Sequence, residues 1–277
     1  MSDLTYAKAI ILGVLQGLTE FLPVSSSGHL AIAQRHLGLA PDDPAMLRLD
    51  VMTHVGTVAA VVVIFFPTFR RYTRRLLREL ERNGPRPRYA LRIACLGFVA
   101  TAVTATIGLG FKEPLLAAFG KPTWIGWGLI TTGVLLAGTK FVKRGRRGWG
   151  RFTWWHAALV GLMQGLAILP GISRSGATIC AASFCGLRRR WAAEFSFFIA
   201  VPAILGAAVL ELGETLSRSN EGAPVTAWGP TLLGSGVAFV AGLVALRILL
   251  STVQRGRLHY FALYCWVVGS LTISGVL

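Results

Sequence analysis

Charge is scarce in this chain. Only 14% of its 277 residues are Asp, Glu, Lys or Arg, where soluble domains carry roughly 25%. Acidic residues are scarcer still, 12 against 28 Lys and Arg. Cysteine is nearly as sparse. Cys95, Cys180, Cys185 and Cys265 show no C-x-x-C spacing, so they read as small buried hydrophobes rather than metal ligands. The N-terminus lacks both a basic n-region and a small-residue cleavage site, which argues against a cleavable signal peptide.

What fills the chain instead is apolar. Hydrophobic residues make up 53% of it and the mean hydropathy is +0.59. A helix needs about 17–25 mostly apolar residues to span a bilayer. The stretches 49–66, 91–111, 124–142, 194–213, 230–251 and 258–277 meet that need. The expected class is an all-α polytopic membrane protein. The net charge of +16 does not point to nucleic acid, because it sits in short segments beside the spans. Arg70, Arg71, Arg74, Arg75, Arg78, Arg82, Arg86, Arg88 and Arg92 form one group. Lys140, Lys143, Arg144, Arg146, Arg147 and Arg151 form another, with smaller groups at Arg188–Arg190 and at Arg255 and Arg257. Such segments orient a membrane protein and meet anionic lipid headgroups.

An internal repeat organises the chain. G-V-L-Q-G-L at 13–18 recurs as G-L-M-Q-G-L at 161–166, and the same spacing places Ser25, Ser27 and Gly28 on Ser173, Ser175 and Gly176. Residues 1–147 and 148–277 are therefore two related halves of a single membrane domain. Placing the basic segments 67–90, 143–152 and 252–257 in the cytoplasm leaves 112–123 and 214–229 outside. The paired segments 5–22 with 26–38, and 154–168 with 174–187, then enter and leave on one side. Each half becomes a re-entrant helical hairpin followed by three transmembrane helices. That odd number of crossings makes the second half inverted, as in transporters whose broken helices meet at the midplane.

The hairpin tips carry the chemistry. They read P-V-S-S-S-G-H at 23–29 and P-G-I-S-R-S-G-A-T at 170–178. Pro and Gly end the first half-helix. Ser25–Ser27 and Ser173–Ser175 stand where the next helix is capped. Two helix N-termini with Arg174 between them suit a phosphate or diphosphate. Ionisable residues inside apolar segments are functional candidates, which adds Glu20 and His29. Gln16 lies four residues before Glu20, on the same helix face. His54 could line the cavity or be a hydrogen-bonded structural residue, while His36, His156 and His259 read as interfacial. The tryptophans lie mostly near span ends, as an aromatic belt requires. Asp50 and Glu194 read as capping residues at span starts, with Glu194 also paired to Arg188–Arg190.

Q-G-L-T-E-F-L-P-V-S-S-S-G-H-L at 16–30 and L-P-G-I-S-R-S-G-A-T at 169–178 resemble the two signature motifs of the bacterial undecaprenyl-diphosphate phosphatase family, also called the bacitracin-resistance family. The resemblance covers the whole chain in length, motif order and repeat. It implies an inner-membrane enzyme that hydrolyses undecaprenyl diphosphate to undecaprenyl phosphate and inorganic phosphate. That reaction recycles the lipid carrier of cell-wall synthesis and removes the lipid that bacitracin binds. Carried over by position, the catalytic residues are Glu20, Ser26, His29 and Arg174. Gln16, Ser25, Ser27, Ser173, Ser175 and Thr178 become substrate-binding. The nucleophile is Ser26 or His29. Many relatives have Glu where this chain has Gln16, and Gln cannot act as a base. A divalent cation, Mg²⁺ or Ca²⁺, is implied, with Glu20 as its protein ligand and the diphosphate supplying most of the rest. The expected partners are a polyprenyl diphosphate lipid and membrane lipids, with no nucleic acid and a homodimer left open. The periplasmic side is the expected approach to the site. The competing reading is a transporter or flippase for a polyprenyl phosphate lipid.

Overall fold

The computed structural model of the chain describes residues 4–40, 43–81, 89–111, 118, 121–142, 145–219 and 228–277. Ten α-helices and three short 3₁₀ turns account for nearly all of the ordered secondary structure among them. No strand occurs among the described residues, apart from one isolated bridge between Arg147 and Leu187.

The first half opens with α1 (Tyr6–Phe21) and α2 (Ser26–His36), joined by a short tip. It continues as α3 (Pro44–Leu80), α4 (Tyr89–Gly110) and α5 (Pro122–Gly138). The second half repeats the order. It comprises α6 (Trp154–Leu166), α7 (Arg174–Phe184), α8 (Arg189–Ser219), α9 (Trp228–Arg255) and α10 (Phe261–Ile273). Among the described residues four helices are long and apolar enough to cross a bilayer, Ala45–Leu80, Tyr89–Gly110, Arg189–Val209 and Trp228–Arg255, while the expected spans 124–142 and 258–277 form the shorter helices α5 and α10. The chain is a polytopic α-helical membrane protein.

Two expected boundaries shift. Residues 67–80, read from sequence as a basic loop, continue α3 as helix through Pro67. Proline removes one ladder hydrogen bond, but the arginines beyond it are good helix formers. Asp50, expected to cap a span, instead lies inside α3 and accepts two hydrogen bonds from Gln34 Nε2, at 3.0 and 3.1 Å. Glu194, also expected to cap a span, lies inside α8, where it pairs with Arg190, Nε to Oε1 at 2.8 Å. All four cysteines are free. Arg82, Arg86, Arg88, Lys143, Arg144 and the segment 220–227 lie outside the described residues.

Packing follows a regular exchange between the halves. α1 lies on α9 while α6 lies on α4, α3 packs on α9 while α8 packs on α4, and α5 pairs with α10. The closest crossings use repeat-matched glycines. A Cβ on Gly13 would collide with the Gly234 carbonyl oxygen, and one on Gly161 with the Ala100 carbonyl oxygen. Small residues that let backbones touch are how helices associate where lipid is as apolar as the side chains. Around the tips lies a core that includes Phe21, Val24, Ile179, Phe197 and Leu246.

Gly13→Val should therefore force α1 away from α9. Overpacking costs about 1–3 kcal/mol, and each kcal/mol lowers the melting temperature of a protein this size by about 2–4 °C. Circular-dichroism melts in detergent read this directly. A melting temperature equal to that of the native chain would show that the crossing is not close.

Candidate active site

Each tip is built by local capping. Ser25 precedes α2 and its side chain accepts from Gly28 N at 3.4 Å. Ser173 precedes α7 and accepts from Gly176 N at 3.1 Å. The second serine of each pair follows suit: Ser25 and Ser27 hydroxyls lie 3.3 Å apart, and Ser173 and Ser175 hydroxyls 3.2 Å apart. Side-chain caps of this kind satisfy helix N–H groups that have no intrahelical partner. The first helical position is then Ser26 in one tip and Arg174 in the other.

The two tips touch. A Cβ on Gly28 would lie 3.3 Å from the Gly171 Cα, so the tip backbones pass at glycines. Gly171 itself has φ +89°, a left-handed conformation that glycine adopts without a Cβ penalty. Ser175 Oγ donates to the Phe21 carbonyl at 3.0 Å, tying the second tip to the end of α1. From α5, Thr132 Oγ1 donates to the Gly171 carbonyl and accepts from Ser173 N.

Glu20 lies where all of this converges, 8% exposed. Its Oε1 pairs with the Arg174 guanidinium, across 154 residues of sequence. Its Oε2 accepts from Ser26 Oγ at 2.6 Å and from Gln16 Nε2 at 3.2 Å. His54 Nε2 approaches the same oxygen at 3.8 Å. One carboxylate thus binds residues from α1, α2, α3 and α7. A buried carboxylate is costly unless paired and hydrogen-bonded, and here both oxygens are served.

His54 is the residue that sequence reading undervalued. Its Nδ1 donates to the Asp50 carbonyl at 2.8 Å. Its Nε2 faces Glu20. Nothing local could have revealed the contact, because it is made between separate helices. His29, by contrast, stands beside the hub without touching Glu20. Its Nδ1 donates to the Ser25 carbonyl at 2.8 Å and its Nε2 meets the Tyr264 hydroxyl at 2.7 Å. Thr178 is fully buried and donates to the Arg174 carbonyl at 2.8 Å, with Ser196 Oγ also in contact. Ser175 and Thr178 thereby hold the second tip in place. Ser26, Ser27, His54 and Arg174 are the partly exposed members. The Gln16 carbonyl oxygen is buried and has no hydrogen-bond partner. Among the described residues no three of His, Cys, Asp and Glu gather as a metal cage.

The arrangement offers a hydroxyl hydrogen-bonded to a carboxylate, and that carboxylate is oriented by an amide and a guanidinium. This is the layout of an activated nucleophile and its base. Arg174 and two helix N-termini beside it favour an anionic phosphoryl group.

The chain is similar to known proteins over nearly its whole length. The family described as bacitracin resistance protein BacA matches residues 9–271 of the chain. An undecaprenyl-diphosphatase from Desulfatibacillum aliphaticivorans is 41% identical, covering 97% of this chain and 98% of the relative. The undecaprenyl-diphosphatase of Alkaliphilus metalliredigens is 40% identical, covering 98% of each. That of Syntrophotalea carbinolica is 41% identical over 97% and 98%.

Glu20→Gln should destabilise the fold, because it leaves the Arg174 charge without its partner. Breaking one side of a buried ion pair costs about 3–5 kcal/mol. Removing both charges, as Glu20→Gln with Arg174→Met, should restore part of that loss. Additive losses in melts of the three variants would mean that the two side chains are not coupled.

Proposed function

The chain belongs to the bacitracin resistance protein family, and on that premise we propose that it hydrolyses undecaprenyl diphosphate to undecaprenyl phosphate and inorganic phosphate. The observation that carries this reading to particular residues is the Glu20 carboxylate, shared by Ser26 and Arg174. The activity recycles the lipid carrier of cell-wall synthesis and withdraws the lipid bound by bacitracin.

In the mechanism, Arg174 and the N-termini of α2 and α7 hold the terminal phosphoryl group and stabilise charge developing on it. Ser26 Oγ attacks the terminal phosphorus, its proton passing to Glu20 Oε2, and undecaprenyl phosphate leaves with the electron pair of the anhydride bond. Water then attacks the phosphoserine and releases inorganic phosphate, and Glu20 returns the proton to Ser26. Support for Ser26 over His29 as nucleophile comes from their partners. Ser26 donates to a carboxylate, whereas both ring nitrogens of His29 are committed elsewhere. Ser25, Ser27 and Ser173 shape the tips that carry these groups.

A divalent cation, Mg²⁺ or Ca²⁺, fits the site only as a shared ligand. Glu20 and the unpaired Gln16 Oε1 are oxygen donors of the kind such hard cations take, and the diphosphate would complete the shell. When bound, the cation neutralises charge on the phosphoryl oxygens. Gln16 supplies no second base, so Glu20 alone takes the proton.

The halves are best understood as inverted repeats, a re-entrant hairpin and three crossings each. The exchange of packing partners, α1 on α9 and α6 on α4, supports this. The location that follows is the bacterial inner membrane, with the site approached from the periplasmic side and the polyprenyl tail leaving sideways into lipid.

Purified protein in detergent should release phosphate from undecaprenyl diphosphate. Arg174→Ala should lower kcat/KM by about 10²–10³-fold, the range for losing one charge-stabilising donor. Ser26→Ala should lower it at least as far, with circular dichroism unchanged. Wild-type rates in both variants would refute the assignment. Translocation of the lipid across vesicles without phosphate release would favour a flippase. Chelation with EDTA should slow the reaction and added Mg²⁺ or Ca²⁺ restore it; indifference to both would remove the cation.

A further inference from the structure

Neither signature motif contains the residue that holds His29. Tyr264 lies on α10, separated from His29 by 235 residues, yet its hydroxyl is 2.7 Å from His29 Nε2. The two rings stack with centroids 5.6 Å apart and planes 10° from parallel. On the far side, His29 Nδ1 lies 2.8 Å from the Ser25 carbonyl oxygen. A carbonyl can only accept, so Nδ1 carries a proton. In the neutral ring Nε2 is then the lone pair, and the Tyr264 hydroxyl donates to it.

Ser25 is the point of leverage. Among the described residues it is the one non-glycine residue with positive φ, at 69°. Strained backbone of this kind persists only where the surroundings over-determine it. The Ser25 carbonyl accepts from both the backbone N–H and the ring of His29. Ser25 immediately precedes Ser26, whose hydroxyl meets Glu20. A turn of the imidazole would release the strained cap and displace Ser26 with it.

We propose that Tyr264 is a positioning residue for the phosphatase reaction. Its hydroxyl, donating to Nε2, reinforces the Nδ1–H tautomer that the Ser25 carbonyl selects, and its ring holds the imidazole against the first tip. His29 Nε2 then carries the lone pair, and the Tyr264 hydroxyl occupies it. The inference rests on the phosphatase reading for its kinetic consequence, but the tautomer can be observed without turnover.

The test uses full-length protein in detergent, with Tyr264→Phe and Tyr264→Leu. Phosphate release from undecaprenyl diphosphate gives kcat and KM. Nitrogen-15 NMR of histidine-labelled protein gives the tautomer, with His29 signals identified by their loss in His29→Gln. Tyr264→Phe keeps the stacked ring and loses only the hydroxyl. It should lower kcat about three- to tenfold, the worth of one hydrogen bond, with KM within about twofold. The His29 resonances should move from a single Nδ1–H tautomer toward a mixture. Tyr264→Leu should show the same shift and a larger kcat loss. Wild-type kcat and unchanged His29 resonances in Tyr264→Phe, with only the Leu variant impaired, would overturn the proposal and leave a packing role. If wild-type protein released no phosphate, the phosphatase reading would fall, while the nitrogen resonances would still decide the role of Tyr264.

Discussion

A carboxylate inside an apolar helical body persists as an ion only if its charge and its lone pairs are met within the protein. Glu20 meets that condition with Arg174 on one oxygen and Ser26 and Gln16 on the other. No single segment could supply these partners. The first tip has serines and a histidine but no cation, and the second has the arginine but no carboxylate. The two tips must therefore meet, and much of the architecture follows from that. Gly28 and Gly171 let their backbones touch, Ser175 ties one tip to the last turn of α1, and Thr132 fixes the other from α5.

The polar residues divide into those that build the site and those that face outward from it. Ser173, Ser175, Thr178 and Ser196 spend their hydroxyls on backbone carbonyls, caps and one another. They keep irregular backbone satisfied inside an apolar surround, where water is scarce. Ser26 and Arg174 occupy the same repeat position, the first of their helices, yet one offers a hydroxyl and the other a charge. Equivalent backbone positions have thus taken complementary chemical roles around one carboxylate. The two histidines divide similarly: His54 faces Glu20 directly, while His29 is held between the tip backbone and Tyr264.

Packing between the halves explains why such a site can be held so far from any long polar segment. Repeat-matched Gly13 and Gly161 each bring a hairpin helix against a helix of the opposite half. At Gly13 the contact is one of shape, while at Gly161 a hydrogen bond is added, Thr104 Oγ1 donating to the Gly161 carbonyl at 3.0 Å. These contacts set the tips at a separation that the hydrogen bonds then fix.

Sequence by itself determined the class and the ends of the four short helices beside the two motifs. Proline, glycine and capping serine act within a few residues of one another, so α1, α2, α6 and α7 end close to where the motifs place them. Glu20, Ser26 and Arg174 were also legible, because ionisable and polar groups stand out in apolar segments. The extension of α3 to Leu80 was not, since charged helix and charged loop have similar composition. The partners of the site were least legible of all. Tyr264 lies on a helix that is hydrophobic all round and carries no periodic signal of which face meets which neighbour, and His54 and Ser196 are single polar residues within long helices whose pattern does not name their partners. Only the tertiary packing, decided by which glycines and bulky side chains interlock, turned those residues toward the tips.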